Sequence, residues 1–340
     1  MSASPILRAA VIAACSAAVS CTGSHHMLDG AGEHARRVAE LWWLMFGVLA
    51  VVYVLVCAAI VAAVVRGRRS PADLRMVAAS PAQERRMIIT VSATVAATAV
   101  ILFAFLVATY STSDALSSLA RTPADVTIKI TGQQWWWDVE YQDPVPSNTV
   151  TTANLMHIPV GRTVQLILVS ADVIHSFWVP NLAGKKDLIP GHQNTMWLKA
   201  ERTGRFEGLC GEFCGLQHAN MRLTVVVQSE QDYQAWLQSQ RLAAAEPSGD
   251  LERRGREVFV RGPCVMCHSI RGTDAAGFVA PDLTHVASRP RIGSTVPNTR
   301  EHLLRWVRDS QEIKPGNRMP PLALSHEDLD AVVAYLETLK

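Results

Sequence analysis

The chain has 340 residues, enough for two modest domains and a membrane anchor. Its 32 basic and 30 acidic residues nearly cancel, so no basic face marks it as a nucleic-acid-binding protein. Hydrophobic residues make up 49%, unevenly: two long apolar runs lie in the first third, and the remainder reads as soluble.

Residues 1–21 have the pattern of a secretory signal. Arg8 is their lone charge, an apolar stretch follows, and small residues lead up to Cys21. Ala18-Val19-Ser20-Cys21 resembles the cleavage box of bacterial lipoproteins, with Ala18 where leucine is usual. A lipid anchor at Cys21 and an ordinary signal with an incidental cysteine both stay open. Residues 22–113 read as a transmembrane hairpin. Residues 41–65 and 88–109 carry no charge, and at about 1.5 Å per residue each can cross a hydrocarbon core of about 30 Å. Trp42 and Trp43 suit an interfacial belt. Between the spans lie Arg66, Arg68, Arg69, Arg75, Arg85 and Arg86 against Asp73 and Glu84. The positive-inside rule puts that loop in the cytoplasm and both chain ends outside. Neither span has an ionisable acid, base or histidine, so any intramembrane redox centre belongs to another chain.

Residues 114–228 change to short β-type runs, at 126–130, 163–170 and 222–228, separated by turn signals such as Asp143-Pro144 and Pro190-Gly191. The expectation is an antiparallel all-β sandwich or barrel. Near its end stands Cys210-Gly-Glu212-Phe-Cys214-Gly-Leu-Gln-His218-Ala-Asn-Met221, with His175 upstream. Thiolates, imidazoles and a thioether together suit copper. Two cysteines on one loop can bridge two copper ions, with His175 and His218 as terminal ligands and Met221 and the Glu212 carbonyl as weak ones. A closed Cys2His2 zinc site and a Cys210–Cys214 disulfide are the competing readings.

The twelve-residue string resembles the binuclear copper motif of cytochrome c oxidase subunit II, and the resemblance covers the hairpin and the whole β domain. It implies a cupredoxin-like Greek-key sandwich. Gly132-Gln133-Gln134-Trp135-Trp136-Trp137 is similar to the family's aromatic run, which implies electron entry at Trp135, although Trp136 stands where tyrosine is usual. On a single strand Trp135 and Trp137 would share one face, and at least one of the three is expected to be a packing residue. Residues 185–191 resemble the segment that docks on the large catalytic subunit. The Glu212 carboxylate is implied in binding magnesium at the subunit interface. Glu84 lies where the family carries a proton-path pattern that this chain lacks, so no proton-uptake role is assigned to it.

Residues 229–249 read as a helix followed by a linker, and 250–340 as an all-α domain, which the resemblance implies to be a class I cytochrome c domain. Cys264-Val-Met-Cys267-His268 is a c-type haem-attachment sequence, with His268 as the proximal iron ligand. A redox disulfide or half of a zinc site is the alternative. Met319 is the only methionine after this motif and is the expected sixth ligand; His285, His302 and His326 are its rivals. Ala280-Pro281-Asp-Leu283 resembles the family segment that packs on the proximal histidine. Ser325 should cap a closing helix whose stripe is Leu329, Val332, Val333 and Leu336.

The resemblance implies an electron-entry subunit of a haem-copper oxidase in a bacterial inner membrane, with both cofactor domains on the periplasmic side. Cytochrome c or another donor would feed it, and subunits I and III would be its partners. A nitrogen-oxide reductase entry module and a copper-delivery or redox-sensing protein are the other functions weighed. The linker is expected to act as a short flexible tether for the haem domain.

Overall fold

The computed structural model describes residues 25–69 and 80–340. The signal segment, Cys21 and the middle of the arginine-rich loop lie outside the described residues. Residues Arg36–Arg121 form one compact unit, and residues from 122 onward form another together with the stretch up to Ala35.

The first unit is built on α1 (Glu33–Arg69) and α2 (Pro81–Leu119), which extend beyond the two apolar runs. Both are long and apolar enough to cross a membrane, with mean hydropathies of 3.1 and 2.4 over their most apolar windows. The start of α2 is set by capping, which is why the helix begins before the apolar run does. Ser80 Oγ accepts from Gln83 N–H, the Gln83 side chain accepts from Ser80 N–H, and Pro81 sits in the first turn. Glu84 lies in that turn, where its charge complements the helix dipole. Further along, the hydroxyls of Thr90, Thr94 and Thr98 donate to the carbonyls of Arg86, Thr90 and Thr94. Polar side chains are thereby satisfied within the helix, as an apolar surrounding requires.

The second unit opens with a β sandwich. One sheet has the order β3-β2-β1-β5-β8 and the other β4-β10-β9-β6-β7. The strands are β1 (Val126–Gln133), β2 (Trp136–Tyr141), β3 (Val150–Ala153), β4 (Leu155–Pro159), β5 (Thr163–Ser170), β6 (His175–Trp178), β7 (Lys186–Leu188), β8 (Asn194–Lys199), β9 (Gly204–Cys210) and β10 (Arg222–Gln228). The expected sandwich forms, but it is not wholly antiparallel. β1 pairs parallel with β5, and β10 with β4, because the chain changes sheets between these partners. Alternation in β1 and β2 turns Ile128, Ile130, Trp137 and Val139 inward, all fully buried. Helix α3 (Glu230–Gln240), capped by Ser229, lays Tyr233 and Trp236 against the sandwich.

After residues 241–249 comes the helical domain, with α4 (Asp250–Arg261), α5 (Arg300–Arg308) and α6 (His326–Thr338). Ser325 Oγ accepts from Asp328 N–H at 3.0 Å, and the four stripe residues of α6 are buried, as the sequence pattern requires. α4 crosses α6 at Gly255, where a Cβ would lie 1.9 Å from the Ala331 carbonyl oxygen. Phe259 meets Tyr335 edge to face one turn further on.

Two stability predictions follow from this packing. Gly255→Ala should cost about 1–3 kcal/mol through overpacking at the helix crossing, read as a lower thermal midpoint of the helical domain. His157 in β4 stacks on Trp236 and places Nδ1 2.6 Å from Gln228 Oε1, and burial pushes its pKa from 6.5 down to about 4. The unfolded chain therefore takes up this proton at higher pH than the folded one. The stabilisation is complete above about pH 6.5 and is lost as pH falls towards 4. Thermal unfolding of the β domain should show that loss, and His157→Gln should flatten it.

Candidate metal centre and haem-attachment site

The loop from Cys210 to Met221 leaves β9 and returns as β10. Cys210 N–H donates to the Met221 carbonyl at 3.0 Å, closing the loop at its base, and Gly211 N–H donates to Ser176 O at 2.8 Å, fastening it to the strand that carries His175. Six potential donors converge there. Cys210 Sγ lies 4.0 Å from His175 Nδ1 and 3.1 Å from the Glu212 carbonyl oxygen. Cys214 Sγ lies 3.6 Å from His218 Nδ1 and 3.8 Å from Met221 Sδ. The donor atoms of His175, Cys210 and Cys214 all fall within 4.8 Å of one another.

This arrangement gives each sulfur its own imidazole and a weaker donor. Both cysteines are free thiols, not a disulfide. A closed Cys2His2 set would leave the thioether and the carbonyl unused, whereas soft donors of this kind fit copper. The Cys214 thiol donates to Cys210, and with His175 and nearby backbone groups it pushes the Cys210 pKa well down. Giving that bond pushes Cys214 up. Burial opposes a charge on His175, but Cys210 and Asp172 outweigh it and raise the imidazole pKa.

Asp172 is a site residue that sequence reasoning missed. Its Oδ1 lies 2.8 Å from His175 Nε2, which leaves Nδ1 facing the sulfurs. Burial would raise the Asp172 pKa, but the bonds from His175 and from the Gln134 and Val173 N–H groups hold it below the usual range. An acid three residues before a suspected metal histidine was the available signal. Gly132 was also overlooked. A Cβ there would lie 2.8 Å from His175 Cδ2, so β1 can pass the imidazole only without a side chain.

The aromatic run departs from the single-strand expectation. Gln134 and Trp135 form the turn between β1 and β2, and Trp136 pairs with Gln133 across it. Trp135 Nε1 and Gln134 Nε2 both donate to Cys214 O, at 2.9 and 2.8 Å, drawing the turn against the metal loop. Trp135 is 7% exposed, and Trp137 is the packing residue, fully buried in the core. Lys185 lies beside the loop, its Nζ 3.2 Å from Gly211 O and 3.7 Å from the Glu212 carboxylate.

In the helical domain Cys264 and Cys267 are free and His268 follows directly. His268 Nδ1 lies 2.7 Å from the Pro281 carbonyl, which commits that nitrogen and leaves Nε2 for a metal. Burial lowers the His268 pKa, favouring the neutral form that ligates. Gly277 and Ala280 N–H donate to His268 and Cys267 carbonyls, folding Phe278 and Val279 over the motif. Phe278 is 93% exposed and Met266 69%, an uncovered apolar surface suited to a porphyrin. Met319 is half-buried in a braced loop: its N–H donates to Asn317 Oδ1, and its carbonyl accepts from Ser310 Oγ and Gln311 Nε2. Among the rivals, His302 Nδ1 lies 2.9 Å from Thr299 Oγ1 and His326 is exposed at the start of α6. His285 Nδ1 lies 2.7 Å from Lys340 O, while its buried Nε2 has no hydrogen-bond partner.

Parts of the chain are similar to known proteins. Residues 145–229 match the family described as cytochrome c oxidase subunit II, periplasmic domain, and residues 252–340 match cytochrome c. Cytochrome c oxidase subunit 2 of Alkalihalophilus pseudofirmus is 40% identical over 216 residues, 63% of this chain and 61% of that protein. The protein of the same name from Bacillus sp. strain PS3 is 30% identical over 237 residues, 66% of this chain and 65% of its own length. The chain thus spans under two thirds of these relatives. The crystal structure of the periplasmic domain of cytochrome oxidase subunit II from Bradyrhizobium japonicum is 33% identical, covering 35% of this chain and 96% of that one, with a TM-score of 0.33. The chain is similar to cytochrome c oxidase subunit II: its β-sandwich domain matches the model of that family's periplasmic domain, and the domain after it matches cytochrome c.

Proposed function

We propose that this chain is the electron-entry subunit of a haem-copper terminal oxidase, accepting electrons from cytochrome c or a similar donor for a partner chain that reduces oxygen to water. One observation carries the reading. Two thiols, two imidazoles, a thioether and a carbonyl converge on one closed loop, and the same polypeptide bears a haem-attachment motif.

When bound, a copper pair and a covalent haem c supply one-electron carriers whose charge change is spread over many atoms. Cys210, Cys214, His175 and His218 would hold the copper pair, with Met221 Sδ and the Glu212 carbonyl as weaker ligands. Cys264 and Cys267 would hold the porphyrin covalently, and His268 Nε2 and Met319 Sδ would be the groups offered to its iron. Trp135, bonded to the Cys214 carbonyl, would couple the copper loop to the incoming electron. The Glu212 carboxylate is the group offered to a magnesium ion at the interface with catalytic subunit I, and residues 185–191 would dock there; subunit III completes the assembly. The arginine excess between the spans supports an inner-membrane protein with the loop in the cytoplasm and both cofactor domains in the periplasm.

Electron paramagnetic resonance of the natively matured protein tests the copper assignment. An electron shared over two coppers gives about seven hyperfine lines and one copper gives about four; zinc, or no copper at all, would end the proposal. Asp172→Asn removes the acceptor that orients His175 and should weaken copper binding by about 10–100-fold, measured by competition titration. For the haem, Met319→Leu should abolish the methionine–iron charge-transfer band and lower the midpoint potential, because methionine ligation raises it relative to two histidines. His285→Ala should leave both unchanged.

A further inference from the structure

The β domain and the helical domain belong to one compact unit, and the Met319 loop meets the Cys210–Met221 loop within it. Lys314 lies in the loop that carries Met319 and is 2% exposed. Its Nζ donates to four neutral oxygens: Trp135 O at 2.6 Å, Gly293 O at 2.8 Å, Asn220 O at 3.2 Å and Ser294 Oγ at 3.3 Å. Two of these acceptors belong to the β domain, one in the tryptophan turn and one beside Met221. With the domains apart the ammonium would keep Gly293 and Ser294 alone and need water for the rest. Docking is therefore what completes its hydrogen bonding.

The surrounding contacts converge on the same place. Gly316, at φ +83°, brings bare backbone to the metal loop. A Cβ there would lie 3.2 Å from Leu216 Cδ2 and 3.4 Å from Trp135 Cη2. Gln217 Nε2 donates to Pro315 O at 2.9 Å, and Ser294 Oγ donates to Asn220 O at 2.7 Å. Arg318, the neighbour of Met319, pairs with Asp172 at 3.2 Å, and Asp172 holds His175. On the other side of the haem domain Arg271, three residues after His268, donates to the carbonyls of Ser147 and Thr149. The linker is fastened as well, since Ala244 N–H donates to Arg271 O. The expected flexible tether is replaced by a bonded seam.

We infer that Lys314 is a positioning residue that pins the Met319 loop onto Trp135 and the copper loop, so that the two cofactor loops meet in a fixed junction rather than by repeated encounter. The inference rests on the proposed cofactor assignments. Burial pushes the Lys314 pKa down to about 7, which reflects how completely water is excluded from it. In this junction Trp135 is covered by the chain's own haem domain, so an external donor meets the haem domain first.

The test uses the purified, cofactor-loaded complex with Lys314→Met. The readouts are the haem-to-copper transfer rate after flash reduction at several viscosities and hydrogen exchange of the amides at 314–317. The wild type should transfer at a viscosity-independent rate with protected amides. Losing a buried charge-assisted bond should slow the variant about tenfold, make its rate viscosity-dependent and speed its exchange. The copper hyperfine pattern and the methionine–iron band should stay as in the wild type. A variant with wild-type rate, viscosity response and exchange overturns the pin. If Lys314→Met does not mature, Ser294→Ala, which removes one lysine partner and the bond to Asn220, should give a smaller change in the same direction; no change there also overturns it. A wild type lacking the copper and haem signals defeats the functional reading itself.

Discussion

Cys210 N–H donates to the Met221 carbonyl, and the candidate metal loop depends on that closure. It makes the twelve-residue excursion between β9 and β10 a ring with fixed ends, and everything offered to a metal hangs from this ring or faces it. Cys214 sits at the far side, with its carbonyl held by Trp135 and Gln134 from the preceding hairpin turn. The sulfurs are thus placed by hydrogen bonds to the loop's backbone from both sheets, not by their own side-chain preferences. His175 then needs one more constraint, and Asp172 supplies it by binding the nitrogen remote from the sulfurs. A soft-metal site assembled in this way is organised before any ion arrives, which lowers the reorganisation required of it.

Much of this was legible in the residues. The candidate metal loop stands out because thiols, imidazole and thioether occur within one short string, and the second site because two cysteines two residues apart are followed directly by a histidine. The apolar stripe of α6 and its Ser325 cap follow from helical periodicity and emerge as expected. Other features could not be read because they are made by contacts distant in sequence. Trp135 looks like a strand residue until the Cys214 carbonyl, 79 positions away, draws it into a turn. Lys314 looks like an ordinary surface lysine, since nothing near it in sequence announces acceptors 179 and 94 positions away. The helices α1 and α2 overrun their apolar runs because capping and hydrogen bonding, not hydropathy, decide where a helix stops.

The haem domain contributes its own economy of side chains. Gly255 lets α4 and α6 approach until backbone meets backbone, and Phe259 and Tyr335 close the gap beside it. That packing carries α6, while the Met319 loop is braced separately by Ser310, Gln311 and Asn317. The helices therefore provide rigidity and the loops carry Met319 and the Cys264–His268 string, a division that keeps the loops independent of small movements in the helical core.

The bare backbone at Gly316 has a consequence for how such chains can be recombined. Because that glycine abuts Leu216 and the Trp135 ring, the seam is shaped from both sides. A cytochrome grafted from an unrelated protein would bring a side chain to that spot and hold the two halves apart. The halves of this polypeptide are thus a matched pair, and substitutions at 135, 216, 314 and 316 are expected to be accepted only in compatible combinations.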